Sequence, residues 1–256
     1  MTTSLLAAML TITNLCGSVR VDTHGARVVS YIPAGGCEVF FVSETGTGGM
    51  PLCWPWFAGL GPAAESRRHG VARYCDFTVV ANECHSPSNS EVTLLLESNV
   101  GTRAEFPHDF ALTVSIRLAE RLYVSMTGEN TGSAPFAVTE AFHPYFAVGD
   151  SARCHVDGVD ASECFVSEPD SGMKLSVRSD GGVFRVWRPN PASYNSKNVT
   201  ALAPDDWRRF ICVENGTFTQ DQGYVLRPGE KHTLASAILP TKSMAEADSS
   251  VRPRRL

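Results

Sequence analysis

No C-x-x-C pair occurs among the eight cysteines of this chain, and no His/Cys ladder has zinc-finger spacing. A structural zinc site of the usual kind is therefore not expected. Cysteine is also too sparse for the disulfide framework of a small secreted domain. Cys16, Cys37, Cys53, Cys75, Cys84, Cys154, Cys164 and Cys212 read as reduced thiols in a reducing, cytoplasmic setting. Long apolar runs are missing too. Leu5 to Leu10 is far shorter than the ~20 residues a membrane helix needs. It has no basic segment before it and strand-like sequence directly after it, so no signal peptide is expected. The closing Arg-Leu is not the S-K-L of a peroxisomal address. Cationic excess is absent: 22 Lys and Arg stand against 27 Asp and Glu, a formal charge of -5. Nothing global draws the chain to nucleic acid or to an anionic membrane, so any anion site must be local.

Helical periodicity is the next absence. No apolar pattern of period 3.6 runs for ten residues or more, and 201–209 holds at most one short turn. No Pro/Ser-rich linker, composition shift or internal repeat divides the chain. What is present is strand grammar. "VRVDTHGARVVSYIP", "CEVFFVSE", "DFTVVANEC", "EVTLLLES", "FAVTEAFHPYF", "CHVDGV", "KLSVRS", "VFRVWR", "RRFICVENG" and "TLASAILP" are rich in Val, Ile, Thr, Phe and Leu and end on turn formers. "ALTVSIRL" and "RLYVSMTG", joined across Ala119 and Glu120, read as a hairpin. Hydrophobic residues make up 43% of the chain, enough for a sizeable core. The expectation is one all-β domain, a sandwich or barrel, with its core over about 11–242 and a polar C-terminal tail.

Candidate chemistry gathers at three places. Pro51 to Phe77 sets Trp54, Trp56 and Phe57 between prolines, then runs through glycines into Arg67, Arg68, His69, Gly70 and Arg73. His143 stands among aromatics in "TEAFHPYFAVGD", and Glu214 ends the apolar run of "FICVENG". A histidine and a carboxylate in such strands are costly to bury unless paired or used.

The words "GGMPLCWPWFAGLGP", "HGVARYCDF", "FPHDFALTVSIRL", "TEAFHPYFAVGD" and "FICVENG" occur in this order, with "IPAG" before them and "LRPGE" after. Together, over Val19 to Pro240, they resemble the glucose-6-phosphate 1-epimerase (hexose-6-phosphate mutarotase) branch of the galactose mutarotase-like, or aldose 1-epimerase, proteins. The resemblance implies a β-supersandwich with a shallow sugar cleft on one sheet, working as a monomer on a small sugar or sugar phosphate without metal or organic cofactor. It implies Glu214 as general base and His143 as general acid. His69 corresponds to a sugar-contacting histidine and Arg73 to an arginine that meets the substrate phosphate. Trp54, Trp56 and Phe57 are expected to shape and dry one wall beside the sugar.

Four departures qualify the match. Thr47 stands where the family carries a phosphate-holding arginine before G-G-x-P. Threonine cannot replace that charge or its bidentate geometry. The T-D-R-x-Y word with its cleft aspartate has no clear counterpart between Gly158 and Trp187, where Asp170 and Asp180 are the stand-ins considered. Trp187-Arg188-Pro189-Asn190 replaces W-N-P, and Pro144 rather than threonine follows His143. Arg67, Arg68, Arg103 and Arg188 are the cations available in place of the lost one. Two alternatives stay open: an aldose 1-epimerase of unphosphorylated sugars, and a carbohydrate-binding relative without turnover.

Overall fold

The structure, a computed structural model, describes residues 8–169, 172–190 and 202–241. Asp170 and the polar tail lie outside them. Two large antiparallel sheets, with a three-stranded sheet (Met9–Asn14, Gly17–Asp22, Arg27–Pro33) and a two-stranded one (Phe136–Val138, Tyr224–Leu226), build the core. The larger has eight strands in the order His155–Asp157, Glu163–Glu168, Met173–Asp180, Lys231–Thr241, Leu122–Asn130, Phe110–Leu118, Asn89–Glu97 and Thr78–Ser86. Strict alternation sets its faces. Leu112, Val114 and Ile116 are buried, while Thr113, Ser115 and Arg117 between them reach solvent. That is the pattern of a sheet packed on one side and wetted on the other. The expected hairpin forms, with Leu118 opposite Leu122 and the Ala119 N–H donating to the Arg121 carbonyl at 3.0 Å.

The smaller sheet is organised around Phe210–Gly216, whose seven residues are all buried. One edge of this strand carries Val183–Trp187, and the other carries both Ala141–Phe142 and Tyr145–Ala147. Leu52–Cys53 extends the sheet beyond Ala141–Phe142. Leu52, Phe142, Phe146, Ile211 and Val213 join the inward residues of the large sheet in one apolar core. Cys53, Ala141, Tyr145 and Cys212 belong to two separate small clusters on the opposite face. Period-two alternation thus gives the central strand a core face and a second, covered face.

Several segments differ from the expectation. "FAVTEAFHPYF" is three short strands rather than one, and the break between the last two falls at His143-Pro144. Pro144 has no N–H to give the ladder, so the strand must interrupt there. "CEVFFVSE" forms only isolated bridges, Phe40 to Phe146 and Val42 to Gly48. A six-residue helix, Val100–Glu105, starts at Asn99, whose side chain accepts from the Gly101 and Thr102 N–H groups. The turn expected near 201–209 is a short 3-10 segment, Asp206–Arg208. All eight cysteines are free. Among the described residues no helix is long and apolar enough to cross a membrane.

Candidate active site

Register brings His143 and Glu214 together. Phe142 stands opposite Asn215 and Tyr145 opposite Cys212, so the interrupted residue between them falls opposite Glu214. His143 Nε2 lies 3.2 Å from Glu214 Oε1. On the other side of the central strand, Arg185 is the cross-strand partner of Glu214. A single row, His143, Glu214, Arg185, therefore crosses the covered face of the small sheet. The His143 N–H donates to the Pro51 carbonyl at 3.0 Å, which ties the row to the start of the tryptophan segment.

The pair is almost dry. His143 keeps 6% of its surface and Glu214 keeps 2%. His143 Nδ1 and Glu214 Oε2 are buried without a hydrogen-bond partner among the described residues. Burial disfavours either charge. It pushes the Glu214 carboxyl up to about 7, against the opposing pull of Arg185 and Arg73. It lowers His143, and the positive charge of Arg73 lowers it further. Near neutral pH the pair thus shares one proton across one hydrogen bond, and burial favours it on Glu214.

His69 closes the site from the loop side. Its ring meets that of His143 edge-on at 5.3 Å. The residue sits at φ 68, a left-handed conformation that a side chain adopts at a cost and that clusters at functional sites. Gly70 follows at φ 79, and a Cβ there would stand 2.0 Å from the Trp54 carbonyl oxygen. Only glycine lets the chain pass Trp54 so closely. The Ala58 N–H donates to His69 Nδ1 at 3.3 Å, and Cys53 Sγ lies 3.2 Å from the same nitrogen. Nδ1 is therefore the acceptor, and the ring proton belongs on Nε2. Burial, with the charge of Arg73, lowers His69 to about 2, so this donor is neutral. Arg73 is held from behind: Nε donates to the Leu52 carbonyl at 2.9 Å and Nη2 to Cys53 Sγ at 3.1 Å.

The aromatic wall is a different set from the expected one. Cys53 faces the site, so its neighbours Leu52 and Trp54 face the core. Trp54 has no exposed surface and packs on Phe110, with ring centroids 4.6 Å apart. Such a ring cannot touch a sugar; truncating it would cost about 3–5 kcal/mol of stability. Trp56 is buried beside Phe106 and donates from Nε1 to the Arg67 carbonyl at 2.7 Å. It braces the loop that presents His69. Phe57 alone of the three reaches the site, edge-on to His69 at 5.1 Å. Tyr145 stacks on His143 at 5.1 Å and Trp187 meets it edge-on at 6.1 Å. Alternation could have found both: Tyr145 lies two residues from His143, and Trp187 two from Arg185.

The remaining cations and carboxylates sort plainly. Arg67 pairs with Glu105 at 3.0 Å and Arg103 with Asp109 at 2.6 Å. Arg188 donates to the Ser151 and Cys154 carbonyls at 2.6 and 2.9 Å. Arg68 is exposed, with its charge in reach of His69 and His143. Asp180 is exposed at the end of Met173–Asp180 in the large sheet, outside the sheet that holds the pair. Among the described residues no three His, Cys, Asp or Glu converge to hold a metal ion.

A family model for aldose 1-epimerase matches residues 8–164, and the chain belongs to the aldose 1-epimerase family, which makes it an isomerase. Over 243 residues it is 29% identical to a protein of Salmonella typhimurium named "Putative glucose-6-phosphate 1-epimerase", covering 78% of this chain and 79% of that protein. A protein of the same name from Cenchrus ciliaris is 25% identical over 270 residues, covering 85% and 79%. Among solved structures, a mutarotase described as putative, from Salmonella typhimurium, superposes with a TM-score of 0.79 at 24% identity, covering 91% of this chain and 90% of that one. A galactose mutarotase-like protein from Lactobacillus casei gives 0.74 at 17% identity, covering 91% and 100%. The fold is accordingly the all-β sandwich of galactose mutarotase-like proteins.

Proposed function

We propose that the chain interconverts the α and β anomers of an aldohexose, with glucose 6-phosphate as substrate, and that His143 and Glu214 move the protons. The observation that carries this is the buried His143–Glu214 contact with one proton to share. Ring opening needs a base at the C1 hydroxyl and an acid at the ring oxygen. At rest burial favours the shared proton on Glu214; the reactive form is the tautomer in which it has crossed to His143, so that Glu214 as carboxylate takes the C1 proton while His143 as imidazolium gives one to the ring oxygen. The C1–C2 bond turns, and closure reverses both transfers on the other face.

The proton count of the pair is the same before and after. Carboxylate with imidazolium becomes carboxylic acid with imidazole, the neutral combination that burial favours. The dry site therefore supports the opened sugar, and each transfer is worth ~10²–10⁴-fold. His69 offers a neutral Nε2–H to a sugar oxygen. Phe57, Tyr145 and Trp187 exclude water beside it, while Trp54 and Trp56 act from behind as supports. Arg73 sets the electrostatics of the pair and leaves Nη1 for substrate. The same reading has the chain work as a single-domain cytoplasmic monomer on a diffusible sugar. Thr47 favours a second reading, a preference for unphosphorylated aldose.

Magnetisation-transfer NMR on glucose 6-phosphate, glucose and galactose at micromolar protein tests both. Anomer exchange above the buffer rate is expected for glucose 6-phosphate. Exchange confined to free sugars selects the second reading, and saturable binding without exchange leaves a carbohydrate-binding protein.

A further inference from the structure

We propose that Arg185 reads the phosphate monoester of the substrate and supplies the cation that Thr47 lacks, an assignment that rests on the mutarotase reading above. Arg185 shares the face and the cross-strand row of Glu214, so its stem starts beside the reacting pair. Yet its guanidinium does not close on Glu214. It lies over Phe57 at 5.5 Å and Phe218 at 5.8 Å, two rings that themselves meet edge-on at 4.9 Å. Among the described residues no carboxylate lies within ion-pair distance of it. The residue is exposed. An arginine held on an aromatic platform, beside a dry acid–base pair and without an anion of its own, is organised to meet an anion from outside.

The other cations do not offer this. Arg67, Arg103 and Arg188 are held by Glu105, Asp109 and the Ser151 and Cys154 carbonyls. Arg73 has two of its three nitrogens committed to Leu52 and Cys53. Arg68 is exposed near His69 but among the described residues has no ring or strand partner that fixes its fork, which makes it the natural control. The position suits a phosphate carried away from the reacting carbon. C1 and the ring oxygen must meet Glu214 and His143, while an exocyclic phosphate points outward, to where the Phe57–Phe218 platform presents Arg185. The charge also reaches Glu214, His143 and His69, so a phosphate that neutralises it changes the field at the pair.

The test compares wild type, Arg185→Gln and Arg68→Gln. Initial rates of anomer exchange on glucose 6-phosphate and on glucose are combined with calorimetric titration of glucose 6-phosphate. In Arg185→Gln the ratio of kcat/KM for glucose 6-phosphate over glucose should fall about tenfold or more, equivalent to ~1.4 kcal/mol, mainly through KM. The Kd for glucose 6-phosphate should rise by a similar factor, and Arg185→Lys should recover part of the loss. An unchanged ratio, or the same fall in Arg68→Gln instead, overturns the assignment and leaves the mutarotase reading standing. If wild type exchanges no sugar, the mutarotase reading fails, and titration alone judges Arg185. A tenfold weaker Kd in Arg185→Gln then supports phosphate reading; an equal Kd, or no binding to wild type, overturns it.

Discussion

Glu214→Gln separates what the carboxylate does for turnover from what it costs the fold. The amide has nearly the same shape and cannot take a proton from the C1 hydroxyl, so exchange should fall at least ~10²-fold. Stability should move the other way with pH. Glu214 titrates near 4.5 when unfolded and at about 7 in the folded chain. Between those values the folded chain keeps a proton that the unfolded chain has lost. Its contribution to stability therefore falls as pH rises through the window. The full penalty above pH 7 is roughly 3 kcal/mol, from 1.36 kcal/mol per pKa unit. Glutamine has no such window, although its unpaired N–H groups carry a pH-independent cost of about 1–3 kcal/mol. The difference in Tm, variant minus wild type, should thus rise from pH 4.5 to pH 8 by roughly 6–12 °C, taking 2–4 °C per kcal/mol. Thermal melts at half-unit pH steps, with exchange measured on the same samples, check both halves. A difference in Tm that stays flat with pH would show that Glu214 ionises as freely folded as unfolded. The dry-pair mechanism would then have no basis.

The pH dependence of exchange follows from the single proton. As pH rises through about 7 the pair loses it, leaving carboxylate beside neutral imidazole with no acid, so kcat/KM on glucose 6-phosphate should decline above that point after buffer correction; a rate that climbs through pH 7 contradicts the shared-proton pair. Arg73→Met should lower exchange on glucose 6-phosphate and on glucose by similar factors and destabilise the fold by about 1.5–3 kcal/mol, because it removes charged hydrogen bonds to Leu52 and Cys53. A loss confined to the phosphorylated sugar in paired rate assays would instead place the phosphate at Arg73.

Much of this is legible in the sequence. Alternation along Phe110–Leu118 and Leu122–Asn130 is plain in the letters, because a half-buried strand must repeat every two residues. His143 and Glu214 were visible as polar residues in strands otherwise apolar. Their contact was not, because it depends on a register shared by strands far apart in the chain. Trp54 was misplaced for a related reason. Composition shows that an aromatic is near the site, but only the strand Leu52–Cys53 settles that Cys53 faces outward and Trp54 inward. Nothing in the letters sets Arg185 apart from Arg188; only the pairing with Phe210–Gly216 shows that it shares a face with Trp187, two residues on, and with Glu214. The short helix Val100–Glu105 offers too few residues for any period; its signal was the cap at Asn99.

The row of His143, Glu214 and Arg185 also has a history in folding. Its members come from two strands and from the break between two others, with His143 71 positions and Arg185 29 positions before Glu214. Contacts of such separation carry the loop-closure entropy of everything between them and form slowly. The strand at the centre, Phe210–Gly216, follows the segments of His143 and Arg185 in the chain. A form in which that strand has not yet taken its place between its two edges cannot hold the pair, so the chemistry depends on these long-range pairings being complete.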